Sequence, residues 1–230
     1  MISLSDIRKE FRESGGQVRV IFDGMDFSVG DGAASVAVLG RSGSGKTTLL
    51  RMLAGLDIDY SGSYEHDGEA LRKTDAAMAA FRRETIGYIS QHYDLLADRN
   101  VAANVALALG SGGRRGGRAE KVTRALRAEK IARALEMVGL GGFEKKRVRQ
   151  LSGGEAQRVA IARALAKDAS IILADEPTGA LDEATEDDIL ALFDDLQERD
   201  VTFVIATHSP KVAARCARRL EIRQQRLVEQ

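Results

Sequence analysis

The sequence is short of cysteine, of net charge and of long apolar runs. Its one cysteine, Cys216, cannot form an internal disulfide, which fits a reducing compartment. Lysine and arginine together number 34, and aspartate and glutamate also number 34. No overall field therefore draws the protein to nucleic acid or to an acidic membrane surface, and any polyanion is expected to bind at a local site.

No stretch of the sequence is suited to crossing a membrane. No window reaches the roughly 18 apolar residues that a span requires. The first residues, "MISLSDIRKEF", carry charge where a signal peptide needs an apolar region. We expect a soluble chain without direct membrane insertion, so a role at a membrane would need a partner. With 230 residues, 44% of them hydrophobic, the chain can form one large domain.

Apolar, β-branched runs alternate with helical patterns along the chain. Five runs predict strands at Val18–Phe22, Ala34–Gly40, Thr85–Ser90, Ser170–Asp175 and Val201–Thr207. Several of them are continuous enough to be buried on both faces of a sheet. Between the last two, a helical apolar stripe is formed by Ile189, Leu192, Phe193 and Leu196. The alternation predicts an α/β fold with a mainly parallel sheet.

Residues 92–150 interrupt this alternation and are predicted to form a helical insert. They show no strand pattern, and a glycine-arginine run from Gly110 to Arg118 precedes a long helical pattern. The apolar stripe of that helix is predicted at Ala128, Ile131, Ala132, Leu135 and Val138. Basic residues recur there every three positions, a spacing that spirals around a helix. A solvated helix is therefore favoured over a contact with lipid headgroups or with a partner.

A glycine-rich stretch, "GRSGSGKTT", follows one predicted strand and opens a helical pattern. It fits the phosphate-binding pattern G-x-x-x-x-G-K-[ST]. Glycines let backbone N–H groups face phosphate oxygens, and the helix N-terminus adds its dipole. Lys46 can supply a cation to the outer phosphates, and the Thr47 hydroxyl can ligate Mg²⁺. We predict a nucleoside triphosphate bound by Gly40, Arg41, Ser42, Gly43, Ser44, Gly45, Lys46, Thr47 and Thr48.

Two adjacent carboxylates end another buried strand, at Asp175 and Glu176. A phosphate-bound Mg²⁺ needs hard oxygen ligands, so Asp175 is the predicted residue on the metal side. Glu176 follows it and is placed to polarise an attacking water. A helix-capping or surface acid is the competing interpretation of Glu176.

A second helix start suited to an anion lies in "LSGGEAQRVAIARAL", residues 151–165. Ser152, Gly153 and Gly154 open that helix without bulky side chains. Guanine-reading segments of the Asn-Lys-x-Asp type are absent, because neither Asn100 nor Asn104 precedes a lysine. GTP is therefore disfavoured, and small nucleoside kinases would have no use for the second anion site.

Taken together, these motifs resemble those of ATP-binding cassette (ABC) ATPases over nearly the whole chain. The motifs in family order are the Walker A loop at 40–47, the Q-loop Gln91, the signature at 151–155, Walker B at 171–176, a D-loop ending at Asp182 and the switch residue His208. The resemblance implies one ABC ATPase domain over 1–230. Its catalytic core would comprise 1–91 and 151–230, with an N-terminal antiparallel β subdomain, and its helical subdomain would span about 92–150.

The resemblance also implies ATP and Mg²⁺ as ligands and a head-to-tail dimer, with a homodimer expected. Gln91 would reach the metal and the attacking water, and His208 would hydrogen-bond the γ-phosphate. The residues that would act on the partner's ATP are Ser152, Gly153, Gly154 and Asp182. Phe11 is the predicted adenine-stacking residue, and Phe22 is the alternative.

Within the family, the sequence is most similar to lipoprotein-release, macrolide-efflux and cell-division ATPases of the LolD, MacB and FtsE type. The segment "ILADEPTGALD" and the region around "FRRETIGYISQHYDLLADRN" carry that similarity. Ser90 before the Q-loop glutamine and Ser209 after the switch histidine depart from the usual pattern. Both lie near surfaces that could select a partner.

The resemblance implies an ATP-hydrolysing subunit that drives transport or force through separate transmembrane subunits. Its expected location is cytoplasmic, peripheral on the inner face of the cell membrane. The alternative is a soluble ABC ATPase that acts on DNA or ribosomes. That class usually carries a long coiled-coil insertion or two fused cassettes, for which 230 residues leave no room, and zero net charge also argues against nucleic acid as a partner.

Overall fold

The computed structural model describes residues 1–12, 15–30, 35–110, 118–199 and 201–230. Most of the predicted glycine-arginine run, residues 111–117, and Ala34 of the predicted second strand lie outside these residues.

Two sheets and seven α-helices make up the described fold. The strands are β1 (Ile2–Arg12), β2 (Val18–Val29), β3 (Ser35–Leu39), β4 (Ser61–His66), β5 (Glu69–Ala70), β6 (Ile86–Ile89), β7 (Ile171–Asp175), β8 (Thr202–Ala206), β9 (Arg218–Arg223) and β10 (Arg226–Glu229). The α-helices are α1 (Lys46–Leu53), α2 (Asp75–Glu84), α3 (Val101–Ala106), α4 (Arg118–Met137), α5 (Gly153–Leu165), α6 (Glu183–Gln197) and α7 (Pro210–Ala214). Two 3-10 turns lie at Leu107–Leu109 and Val148–Gln150.

The larger sheet has six strands in the order β10-β9-β3-β8-β7-β6. All of its neighbouring pairs are parallel except β9 with the edge strand β10. The carboxyl ends of β3, β7 and β8 therefore lie side by side at one edge. In open α/β sheets, functional loops follow the carboxyl ends of the strands, and the loops with the Walker motifs do so here.

The smaller sheet has four antiparallel strands in the order β2-β1-β4-β5. Together with the parallel sheet and its helices, it confirms the predicted fold class. The predicted strand Val18–Phe22 is too short, because β2 continues to Val29. Its second half alternates buried and exposed residues, as does β1, which no strand prediction covered. Such alternation is typical of a strand with one face on the core, and it interrupts the β-branched runs by which strands were recognised.

The parallel sheet separates two apolar cores. On one face, Ile172, Ala174 and Phe203 pack with helices α3 to α6. On the other face, Leu173 and Val204 pack with α1 and the four-stranded sheet. Strands β3 and β7 are buried on both faces, as their continuous apolar runs predicted.

The segment between Gln91 and α5 contains helices, 3-10 turns and one isolated bridge, Asn100 with Arg147, among its described residues. Ile131 and Leu135 in α4 and Val138 directly after it are buried as predicted. Ala128 is exposed and Ala132 only partly buried, so the predicted stripe is wrong at these two positions. Ala134 is buried instead, because the helix follows the 131, 134, 135, 138 spacing against α3 and α5.

Candidate nucleotide-binding site

The Walker A loop connects β3 to α1 and leaves the start of that helix open. Gly45 precedes α1 with φ 111°, a left-handed conformation, and no side chain among the described residues caps the helix. A Cβ at Gly45 would lie 2.7 Å from Ile21 Cγ2 and 3.1 Å from Phe22 Cζ, so only glycine fits there. The first N–H groups of α1 thus remain available for an anion.

Lys46 folds back over this loop. Its Nζ donates to the Gly40 carbonyl at 2.8 Å and reaches the Arg41 carbonyl at 3.4 Å. The same Nζ lies 3.8 Å from Glu176 Oε1. The ammonium is therefore held between the loop and the carboxylates that follow β7.

Asp175 ends β7 and lies beside the start of α1. Burial raises the pKa of its carboxyl and the neighbouring Glu176 charge adds to this, while a hydrogen bond from Thr47 and the Lys46 charge oppose the shift. A hydroxyl and a carboxylate thus meet at the mouth of the loop. They are oxygen donors, the type Mg²⁺ prefers. No group of three or more His, Cys, Asp or Glu side chains that could hold a metal occurs among the described residues.

Glu176 is held in a rarely populated backbone conformation. Its φ is 46°, in the left-handed region that non-glycine residues seldom adopt. Its N–H donates to the Ala206 carbonyl at 2.8 Å, which ties the residue to the end of β8. Its Oε2 accepts from the His208 backbone N–H at 3.2 Å and lies 2.9 Å from His208 Nδ1. The loops after β7 and β8 therefore fix the direction of this carboxylate.

The segment after Gln91 is tied to the signature helix α5. Tyr93 and Asp94 both have positive φ, 63° and 46°. The Arg163 guanidinium donates to their carbonyls at 2.6 and 2.7 Å, and burial lowers the pKa of Arg163. The bend next to Gln91 is thus stabilised by a side chain of α5, a link that no sequence pattern had indicated.

Residues of the Walker A loop and of the loops that follow β7 and β8 border one cavity of about 570 Å³. Its lining residues are Phe11, Arg19, Ile21, Ser42, Gly43, Gly45, Lys46, Thr47, Thr48, Gln91, Asp175, Glu176 and His208. Phe11 is 42% exposed at the rim, whereas Phe22 is fully buried beneath Gly45. Phe22 therefore cannot present a ring to a base, and Phe11 remains the predicted adenine-stacking residue.

The side chains of Arg41 and Ser44 lie elsewhere. They line a neighbouring cavity formed with the β9–β10 hairpin, while Gly40 sits behind Ser44. Because loops of this kind bind phosphate through backbone N–H groups, the prediction for these three positions concerns the main chain and still stands as a prediction.

The residues expected to act in trans do not border this cavity. Ser152 caps α5 with a capping box, accepting from Glu155 N–H at 3.2 Å while Glu155 Oε2 accepts from the Ser152 N–H at 2.8 Å. Asp182 caps α6 and accepts from the Thr185 N–H at 3.0 Å and from its hydroxyl at 2.7 Å. A Cβ on Gly154 would lie 2.4 Å from Thr185 Cγ2, so the two helix starts abut.

Arg19 and Ile21 are the cavity residues that the sequence prediction missed. Arg19 Nη2 donates to the Gly43 carbonyl at 2.9 Å. Arg19 is thus a second basic side chain on the cavity that Lys46 borders. Arg19 pairs directly with Phe11 across β1 and β2, and this register cannot be read from either strand alone.

The fold and the site define a P-loop nucleotide-binding protein with two carboxylates and a histidine at the phosphate end. The ABC transporter family profile matches residues 22–179, and the chain belongs to that family. The resemblance inferred from the motifs is thereby confirmed, and the chain is an ABC ATPase.

Named relatives and solved structures agree with this assignment. The macrolide export ATP-binding/permease protein MacB 1/2 of Paracoccus denitrificans is 44% identical over 99% of this chain and 33% of its own length. The MacB protein of Syntrophobacter fumaroxidans is 41% identical over 96% of this chain and 30% of its own. This chain therefore spans about a third of the curated relatives it matches.

Among solved structures, the dimeric structure of MJ0796, a bacterial ABC transporter cassette, matches with TM-score 0.84 and 32% identity over 100% of this chain and 98% of that one. A post-hydrolysis dimer of MJ0796 bound to ADP and Pi matches with TM-score 0.84 and 31% identity over the same shares of the two chains. Within the described ranges, no helix combines the length and apolar character of a membrane span.

Proposed function

We propose that this chain is the ATP-hydrolysing cassette of a membrane transport complex, in which ATP-driven dimerisation does work on separate transmembrane subunits. The observation that carries the proposal is the convergence of Lys46, Glu176 and His208 on the cavity that the Walker A loop opens. The names of the relatives, ATP-binding/permease proteins for macrolide export, support a transport role. We expect the dimer to consist of two copies of this chain, and the dimeric MJ0796 cassette supports this.

In this proposal, ATP enters with its base at Phe11 and its phosphates at the start of α1. Lys46 then exchanges its bond to the Gly40 carbonyl for the outer phosphates, where its charge has a stronger partner. The backbone N–H groups from Gly43 to Thr48 bind the remaining phosphate oxygens. The site thereby places the γ-phosphate next to the loops that follow β7 and β8.

Hydrolysis requires a base for the attacking water, and Glu176 is that base. Its carboxylate accepts the water proton while the water oxygen attacks the γ-phosphorus and ADP leaves with the bridging oxygen. His208 orients the Glu176 carboxylate and hydrogen-bonds the γ-phosphate. Thr47, Asp175 and Gln91 would hold Mg²⁺, which when bound neutralises charge on the phosphate oxygens.

The composite site needs a second chain. Ser152, Gly153 and Gly154 form the start of α5, with the first two exposed, and Asp182 caps α6 directly beside it. In the proposed dimer these groups close over the partner's γ-phosphate. Arg163 of α5 donates to the carbonyls just after Gln91, where the segment 92–150 begins. In this proposal that segment forms a helical subdomain, and the contact links it to Gln91 on the metal side of the site.

The proposed location is the inner face of the cell membrane, reached through the transmembrane subunits. Purified protein should hydrolyse ATP, and its Glu176→Gln variant should do so far more slowly. Pull-down from membranes, with and without nuclease, separates the two functions considered. Capture of integral membrane proteins regardless of nuclease supports transport, whereas nuclease-sensitive capture of nucleic acid or ribosomes supports the soluble alternative and contradicts the proposal.

A further inference from the structure

A buried cation lies behind the ring expected to receive the base. Lys9 Nζ is 4.7 Å from the centroid of the Phe11 ring. The two residues are two positions apart on β1, so their side chains share one face of the strand. Lys9 is only 2% exposed, whereas Phe11 is 42% exposed. The ring therefore has a desolvated ammonium on one side and open space on another.

The ammonium is held by the loop that follows the phosphate-binding helix. Lys9 Nζ donates to Asp57 Oδ1 at 2.8 Å and to the Asp59 carbonyl at 2.6 Å. Asp57 Oδ1 also accepts from the Asp59 N–H at 3.2 Å, which fixes the turn. Since α1 ends at Leu53, these contacts connect the base end of the site to the helix that begins at Lys46.

The Phe11 ring borders two cavities. One is the nucleotide cavity, and the other, of about 630 Å³, is lined by Arg8, Glu10, Arg12, Asp59, Tyr60 and Ser61. None of the aromatic pairs among the described residues includes Phe11. In the described part of the chain, the Lys9 contact is therefore the ring's one aromatic or cation–π interaction.

A cation on one face of a benzene ring attracts the ring's π electrons and fixes the ring plane. The rest of the ring then becomes less electron-rich, which favours stacking with an electron-rich purine. We propose that Lys9 is a positioning residue for the nucleotide base and acts through Phe11. This inference rests on the proposed function, since it requires that the cavity bind an adenine nucleotide.

A purely structural role for Lys9 is the alternative, because its removal leaves the mostly buried Asp57 without its ammonium partner. A structural defect would weaken binding of the phosphates and of the base alike. Loss of base positioning would weaken only ligands that contain a base. The two roles are therefore separated by comparing ADP with inorganic pyrophosphate.

The experiment measures ADP and pyrophosphate affinity by calorimetry for Lys9→Met, for Lys9→Met with Asp57→Asn, and for both in a Phe11→Ala background. The double variant removes cation and carboxylate together and preserves the test if Lys9→Met folds poorly. Lys73→Met is the matched control. Lys73 Nζ lies 4.5 Å from the Tyr60 ring centroid and donates to the Tyr60 carbonyl, but it does not line the nucleotide cavity.

We expect Lys9→Met and its double variant to weaken ADP binding about 3- to 10-fold, with pyrophosphate binding and the Lys73→Met control unchanged. In the Phe11→Ala background, the Lys9 substitution should have no further effect on ADP. Equal losses for ADP and pyrophosphate, an unchanged ADP affinity, or additive losses with Phe11→Ala would each overturn the inference. If the parent protein binds neither ligand, the proposed function fails and this inference with it.

Discussion

Glu176 and His208 meet at one carboxylate oxygen. Oε2 of Glu176 accepts from the His208 backbone N–H at 3.2 Å and lies 2.9 Å from its Nδ1. The opposite oxygen, Oε1, faces Lys46 Nζ at 3.8 Å. The carboxylate is thus oriented from two sides, by the loop after β8 and by the Walker A lysine. Glutamine at this position can keep the His208 contact, but it cannot accept a proton from water.

We therefore expect Glu176→Gln to lower ATP turnover about 10²-fold or more while ATP affinity is retained. Phosphate release and calorimetry measure the two quantities. Glu183→Gln is the control, because that carboxylate is 90% exposed at the start of α6 and does not border the cavity. Parent-level turnover in Glu176→Gln would assign the base to another residue.

Lys46→Ala tests the phosphate end of the cavity. Removing a charge-assisted contact should weaken ATP binding by about 2 to 3 kcal/mol, roughly 30- to 150-fold. Lys145→Ala removes the same charge at an exposed position outside the cavity and should leave affinity unchanged. Near-normal ATP affinity of Lys46→Ala in calorimetry would contradict the Walker A assignment.

Arg19→Ala tests the cation that only the structure revealed. Its guanidinium is exposed and hydrogen-bonded to the Gly43 carbonyl, so it can turn toward nucleotide phosphates. We expect ATP affinity to fall about 3- to 10-fold at low ionic strength, and the difference from the parent to shrink in high salt. Arg83→Ala, on the exposed surface of α2, is the control of equal charge. A salt-independent loss would indicate damage to the loop instead of a lost charge.

The parts of the site that could be predicted are those carried by contiguous sequence. Gly45 and Lys46 stand in one motif between a buried strand and a helix, so their local pattern defines both conformation and chemistry. Asp175 and Glu176 likewise end an apolar run that is long enough to identify β7. The parallel core was predictable for the same reason, since strands buried on both faces appear as unbroken apolar runs.

The parts that could not be predicted depend on pairing between distant segments. Arg19 reaches the cavity because β2 pairs with β1 in one register, and a shift of one residue would direct it to the other face. Lys9 is buried because Asp57, 48 residues later, receives its ammonium. A lysine and an aspartate at such separation carry no sequence signal for their contact.

Gly154→Ala tests how the signature helix packs on the start of α6. A Cβ there would lie 2.4 Å from Thr185 Cγ2, and the Thr185 hydroxyl is bonded to Asp182. We expect Gly154→Ala to lower the free energy of unfolding by about 1 to 3 kcal/mol through overpacking, as measured by chemical denaturation. Gly153→Ala should be tolerated, because its Cβ would meet only Leu181 Cδ2 at 3.7 Å.

Replacing Thr185 with serine removes the Cγ2 methyl group that a Cβ on residue 154 would meet, and it keeps the hydroxyl that bonds Asp182. In a Thr185→Ser background, Gly154→Ala should be neutral or stabilising, since alanine favours a helix over glycine by about 1 kcal/mol. If the loss persists in that background, the contact with Thr185 is not its cause.

The shared site is tested by assembly. Ser152 and Gly153 are exposed at the start of α5 and do not border their own chain's cavity, so a nucleotide at this helix start would have to be held by a second chain. We expect Glu176→Gln protein to dimerise in ATP, because binding without hydrolysis holds the nucleotide between two chains. Adding Ser152→Arg should abolish that dimer, since its bulk and charge disturb the helix end that closes over the partner's γ-phosphate.

Light scattering in ATP and in ADP measures the assembly. Ser152 also caps α5, so Ser152→Ala, which removes the cap alone, should cost about 1 kcal/mol of folding stability and retain part of the dimer. Ser63→Arg is the control, because it makes the same serine-to-arginine change as Ser152→Arg at an exposed residue of β4. It should leave assembly intact. A dimer that survives Ser152→Arg in ATP would mean that the signature end of α5 does not lie on the partner's nucleotide, and the proposed composite site would have to be abandoned.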